Sequence, residues 1–213
     1  TEVSLPDGSR LRLDTATQLE VAYFRRHREV RLVEGQAVFS VQTDVQRPFH
    51  VLAGAVQVSV VGTRFSVRHT PQLPGTDGVR VCVEEGKVHV TRAGMPADDS
   101  QQSPSDAVLL AAGQQVQADT LGKLAPVVAL PDEGMAPWRN HRVSFVNTPL
   151  AQAIAELDRY GNTGLLVRHP VVAAMRLSGT FDPRDAQTLR RILPAALPVR
   201  LVDRGTHLEV LPA

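Results

Sequence analysis

At 213 residues and 23.1 kDa the chain can hold one large or two small domains, and its 43% hydrophobic and 21% charged residues are ordinary for a folded protein. A net charge of +1 argues against a nucleic-acid surface, and no apolar run approaches the roughly 18 to 20 residues a membrane helix needs. Cys82 is the only cysteine, so no intrachain disulfide can form.

No basic-then-apolar leader opens the chain. The start at Thr1, in mid-pattern and without Met, leads us to expect a piece of a longer protein. Residues 1–120 repeat one device, a short alternating strand followed by a glycine-centred turn, which predicts an all-β domain of short antiparallel strands. Turns are placed at Pro6-Asp7-Gly8, Val33-Glu34-Gly35, Val61-Gly62-Thr63, Glu84-Glu85-Gly86 and Ala112-Gly113. The strands between them are Arg10 to Leu13, Gln18 to Phe24, Glu29 to Leu32, Gln36 to Val41, Phe49 to Leu52, Val56 to Val60 and Thr63 to Arg68. Val79 to Val83 and Lys87 to Thr91 read as a hairpin around Glu85-Gly86, with Cys82 as a small buried residue inside it. Arg92 to Asp106 is polar and proline-containing and is assigned no structure, and Val108 to Val116 returns to strand.

Residues 121–137, with Pro126, Pro131, Gly134 and Pro137, read as a connector between domains. From Trp138, expected as a staple between the two domains with surface recognition as the alternative, the pattern becomes a small α/β domain, residues 138–213, in the order βαβ-βαββ. Its first strand is Arg142 to Val146. Thr148 is the expected cap and Pro149 the first residue of a helix carrying Leu150, Ile154 and Leu157 on one face and ending at Gly161. Strands follow at Leu165 to Val167 and Leu177 to Phe181. A second helix is expected from Asp182-Pro183 to Pro194, with Ala186, Leu189, Ile192 and Leu193 on one face. Val199 to Val202 and His207 to Leu211 close as a hairpin. Ten arginines against six acidic residues from Trp138 onward give this part +4, and the remainder −3.

Candidate chemistry is sparse. The seven histidines show no i, i+4 pair and no cysteine cluster, which gives no metal site. Glu84 and Glu85 are adjacent and would face opposite sides of a strand, and Asp98 and Asp99 lie in a loop expected to be mobile. There is no Gly-x-Ser-x-Gly elbow, and Gly62-Thr63-Arg64 leads into a strand instead of a helix N-terminus that could hold phosphate. Phe39, Phe49 and Phe65 sit in apolar alternation and are placed in the core, leaving few rings for stacking on a base or sugar. The residues therefore offer no catalytic, cofactor or metal site, and no nucleic-acid or small-molecule substrate.

Five stretches in order, Leu5-Pro6-Asp7-Gly8-Ser9, Arg31 to Phe39, Arg47-Pro48-Phe49-His50-Val51, Val61 to Val67 and Ala112-Gly113-Gln114, resemble the FecR family of transmembrane anti-sigma regulators. Phe145 with Thr148-Pro149-Leu150, Ala155 to Tyr160, and Leu177-Ser178-Gly179-Thr180-Phe181 are similar to the C-terminal part of these regulators, which looks like the short secretin and TonB N-terminal (STN) domain. The resemblance implies a non-enzymatic receptor piece in the periplasm, part of a single-pass inner-membrane protein whose membrane helix and sigma-binding cytoplasmic segment precede this chain. It implies binding to the N-terminal signalling domain of a TonB-dependent outer-membrane transducer and relay to an extracytoplasmic-function sigma factor controlling uptake of the ferric-siderophore type. No family motif marks a catalytic residue.

The partner-like fold and the +4 charge point to the second domain as the docking surface, through strand pairing at Met175, Arg176, Leu177, Ser178, Gly179, Thr180 and Phe181. An interior position for this strand is the competing expectation. An envelope glycan or peptidoglycan-binding module is the alternative function, and an envelope enzyme a third that lacks any candidate constellation.

Overall fold

A computed structural model describes residues 1–76, 78–94, 106–131 and 134–213. The chain divides into two compact units, Thr1–Gln72 with Thr76–Ala136, and Leu73–Gly75 with Pro137–Ala213.

The first unit is built of strands: β1 (Glu2–Ser4), β2 (Arg10–Leu13), β3 (Gln18–Tyr23), β4 (Arg28–Ser40), β5 (Phe49–Ala53), β6 (Val56–Val60), β7 (Arg64–His69), β8 (Val79–Glu85), β9 (Lys87–Arg92), β10 (Ala107–Ala111), β11 (Gln114–Ala118) and β12 (Val128–Ala129). They form one curled sheet in the order β10-β9-β6-β5-β4-β7-β8-β11-β12, with β3 and the β1-β2 pair attached to β4. The long strand β4 is the hinge of this arrangement. Its first half pairs with β3 and, in parallel, with β5, while its second half pairs with β2 and β7.

Two strands separated by a turn were expected where β4 runs unbroken. Gly35 does not reverse the chain; at φ +108° it bends a continuous strand, and a Cβ there would lie 2.5 Å from the Cα of Thr17. The hairpin expected at Glu85-Gly86 is also corrected. β8 lies between β7 and β11, and β9 between β6 and β10, so Gly86 at φ +84° carries the chain from one part of the curled sheet to another. Both strands already have two partners, and neither has an edge left for the other.

Inside the curl lie alternate residues of β2 and of β4 to β11. Val30, Phe39, Val51, Val58, Phe65, Val67, Val83, Val88 and Val90 are fully buried, each contributing about 1.5–3 kcal/mol by burial. Phe39 stacks on Phe65 at 5.0 Å and meets Phe49 edge-on at 6.3 Å, as expected for core rings. Within the 121–137 stretch, Leu124 is buried in this core and β12 pairs with β11.

The second unit has a 3-10 turn (Pro137–Asn140), β13 (Val143–Pro149), α1 (Leu150–Asp158), β14 (Leu165–Leu166), α2 (Pro170–Ala174), β15 (Arg176–Phe181), α3 (Ala186–Ala196), β16 (Val199–Asp203) and β17 (Leu208–Pro212). β13 pairs with β15, and a separate sheet runs β14-β17-β16. Leu150, Ala153, Leu157, Val172, Leu177, Leu193 and Val210 form its core. Three local expectations fail here. Pro149 is itself the N-cap of α1, and the Thr148 hydroxyl donates to Val146 O instead of capping. The helix ends in right-handed geometry at Arg159, so Gly161 is not a left-handed cap. Pro194 sits inside the last turn of α3, which starts with Asp185 accepting from the Thr188 N–H at 2.9 Å; a proline blocks the residues before it, not those after.

Candidate functional site

The residues singled out for partner contact form β15 and the position before it. Leu177 is buried and Phe181 half-buried against the core of the second unit, while Arg176, Ser178, Gly179 and Thr180 are exposed and Met175 packs on the core. Among the described residues β15 is hydrogen-bonded to one strand, β13, so its second edge faces no strand. Gly179 holds φ +146°, and a Cβ there would press on the Phe181 ring at 3.3 Å. The face toward solvent is a polar ladder in which Ser144 and Thr180 share a hydroxyl hydrogen bond of 2.8 Å.

The register between β13 and β15 slips between Phe145 and Thr148, which expels Val146, 84% exposed, and puts Asn147 at φ +49°. The Asn147 N–H donates to Ser178 Oγ at 2.9 Å, and Arg176 Nη1 donates to Asn147 O at 3.2 Å. Arg176 is therefore folded back on β13 and does not guard the open edge. The other edges of this unit are better protected. β13 carries the bulge and Pro149, β14 is two residues long, and β16 follows Pro198 and bears Arg200 and Asp203.

Several motif residues turn out to be structural. Asp7 accepts from Ser9 N–H at 3.1 Å, Ser9 Oγ at 2.8 Å, Tyr23 O–H at 3.2 Å and the buried guanidinium of Arg28. Arg28 also donates to Arg47 O at 2.9 Å and Gln42 O at 3.0 Å and lies over the Phe49 ring at 5.3 Å. Burial alone would raise the Asp7 carboxyl; the bonds from Arg28, Ser9 and Tyr23 outweigh it and hold the group below its ordinary value. In the second unit Glu156 pairs with Arg159 at 3.1 Å with both side chains buried, and Asp158 accepts from Thr163 N–H at 2.8 Å, closing the turn after α1.

The remaining chemistry is scattered. Arg64 of the Gly62-Thr63-Arg64 motif is paired with Glu84 at 2.7 Å and lies 3.9 Å from Glu85, so its charge is already met. His27 stacks on Phe24 at 4.4 Å and lies tilted against His50 at 5.4 Å. His50 bonds Ser59 Oγ at 2.8 Å and is pushed below its ordinary pKa by burial first and then by His27, against an opposing pull from Glu29. Burial raises the Cys82 thiol. No group of three His, Cys, Asp or Glu among the described residues is placed to hold a metal. Asp98 and Asp99 lie outside the described residues. A shallow groove of about 460 Å³ in the first unit is lined by Pro48, Ser59, Val61, Lys87, His89 and Leu109, and contains no catalytic pairing.

Sequence reasoning missed the exposure of Tyr23 and Phe24, 40% and 48%. Their position beside the Arg25-Arg26 reversal was the available signal.

Residues 1–89 match the family model described as FecR protein. The first 89 residues are thus a FecR-type segment. The matched span covers the strands from β1 into β9, with the Asp7–Arg28 pair and both halves of β4 inside it. Two crystal structures of a proposed anti-sigma factor from Parabacteroides distasonis ATCC 8503 superpose on this chain with TM-scores of 0.80 and 0.79. Both are 21% identical and cover 100% of this chain and 94% of theirs, a likeness of fold through both units. A comparison with curated proteins returns no match.

Proposed function

We propose that this chain is the periplasmic, signal-receiving part of an anti-sigma regulator in cell-surface signalling. It binds the N-terminal signalling domain of a TonB-dependent outer-membrane transducer and relays occupancy of a siderophore-type receptor to an extracytoplasmic-function sigma factor, through a membrane helix and cytoplasmic segment outside this sequence. It acts by binding and not by turnover. The FecR match over residues 1–89 and the fold shared with a proposed anti-sigma factor support the regulatory class. The order β-α-β-α-β-α-β-β of the second unit supports its reading as an STN-like domain.

The observation that carries the docking site is the unguarded outer edge of β15. A strand with one strand neighbour among the described residues, no proline and its one charge turned away is a template for an added strand, with main-chain hydrogen bonds giving affinity. The test is titration calorimetry of the 213-residue chain against isolated transducer signalling domains, with amide exchange on the complex. A cognate domain should bind, protect the amides of residues 176–181, and lose at least about fivefold in affinity against Arg176→Glu, which breaks the bond to Asn147 and sets a negative charge at the edge. Failure to bind every such domain overturns the partner class. Binding without protection at β15 overturns the surface.

A further inference from the structure

β10 is the end strand of the curled sheet in the first unit, with β9 on one side and no strand on the other among the described residues. Its sequence is Ala107-Val108-Leu109-Leu110-Ala111, without a charge, a proline or a bulge. Natural edge strands usually carry one of those protections. Leu109 is 58% exposed, whereas Leu110 is fully buried.

The hydrogen-bond register says which groups face outward. Arg92 N–H donates to Asp106 O at 2.9 Å, which makes Asp106 opposite Arg92 a bonded pair. In an antiparallel ladder bonded and non-bonded pairs alternate, so Val108 and Leu110 bond β9 while Ala107, Leu109 and Ala111 turn their N–H and C=O away from it. The Ala111 N–H fits this, being taken instead by the side chain of Gln114 at 2.8 Å. Leu109 thus presents a donor and an acceptor outward, together with an exposed apolar side chain.

We propose that β10 is a self-association edge on which a second copy of this chain pairs antiparallel, about a two-fold axis at Leu109. The strand reads nearly the same in both directions, so a two-fold pairing sets each of its small or apolar residues opposite another of the same kind. Leu109 meets Leu109 of the second copy through two reciprocal N–H to C=O bonds, Val108 meets Leu110, and Ala107 meets Ala111. No like charges oppose each other. β16 has no such symmetry, since pairing it with itself about Leu201 sets Asp203 against Val199 and Arg200 against Val202. The contact is small and belongs to the weak, reversible class.

Sedimentation velocity of the 213-residue chain from about 1 μM to about 1 mM tests this. The expected result is a concentration-dependent monomer–dimer equilibrium whose Kd rises at least about tenfold in Leu109→Arg, which sets two positive charges on the axis without disturbing the core. A second reading comes from Leu109→Cys. A bonded antiparallel pair has Cα atoms about 5.5 Å apart, within disulfide reach, so mild oxidation should link two chains, and Val21→Cys, on exposed β3, should not. A chain that stays monomeric throughout, a dimer indifferent to Leu109→Arg, or cross-linking no faster than Val21→Cys overturns the proposal. None of these outcomes bears on the reading of β15.

Discussion

Arg28 is 1% exposed, and its guanidinium is paired with the carboxylate of Asp7, twenty-one positions away. Removing one member of a buried pair leaves a charge without water or counter-charge, at a cost of about 3–5 kcal/mol. Asp7→Asn should therefore lower unfolding free energy by about 3 kcal/mol or more in urea titrations. The lowered Asp7 pKa fixes the pH dependence. Its contribution is fully present above the unfolded carboxyl value of about 3.9 and is lost as pH falls through the lower folded value. Stability measured from pH 6 to pH 2 should thus fall more steeply in the wild type than in Asp7→Asn. A parallel decline in both would remove the ion pair from the account.

Among the elements, β4 decides the first unit, and Gly35 decides β4. A side chain there meets both positive φ and the backbone of Thr17, so Gly35→Ala should cost about 2 kcal/mol or more, seen as a shifted urea midpoint with the slope preserved. An unshifted midpoint would show that the bend does not need glycine. The same residue marks how far the sequence could be read. Period-two alternation placed Arg10 to Leu13, Val56 to Val60 and the valines of β8 and β9 correctly, because burial of one face sets that pattern. A glycine with positive φ serves a reversal and a bend equally, so Gly35 and Gly86 were misread: partner choice is set by distant strands and leaves no local mark. α2, of five residues, and β12, of two, were too short to show a period. Arg176 was legible as an exposed charge at the candidate edge. Its bond to Asn147 was not, since it depends on a register slip in β13.

At the scale of the whole molecule, two cores divide the work. The first unit carries the FecR match and the second carries the candidate edge. Leu193 is fully buried in the second core, so Leu193→Ala should destabilise that unit by about 2–5 kcal/mol and speed amide exchange in α3, β16 and β17. Because β15 draws Leu177 and Phe181 from the same core, affinity for a transducer domain should fall with it. Unchanged exchange in those elements would refute the placement of Leu193.

A strand that belongs to both halves of a curled sheet also governs how the first unit assembles. β4 must collect β2, β3, β5 and β7, some adjacent in the chain and some a long loop away, before either half is complete. Neither half can wait as a finished piece for the other, so formation and loss of the whole curl are tied to one slow, shared event.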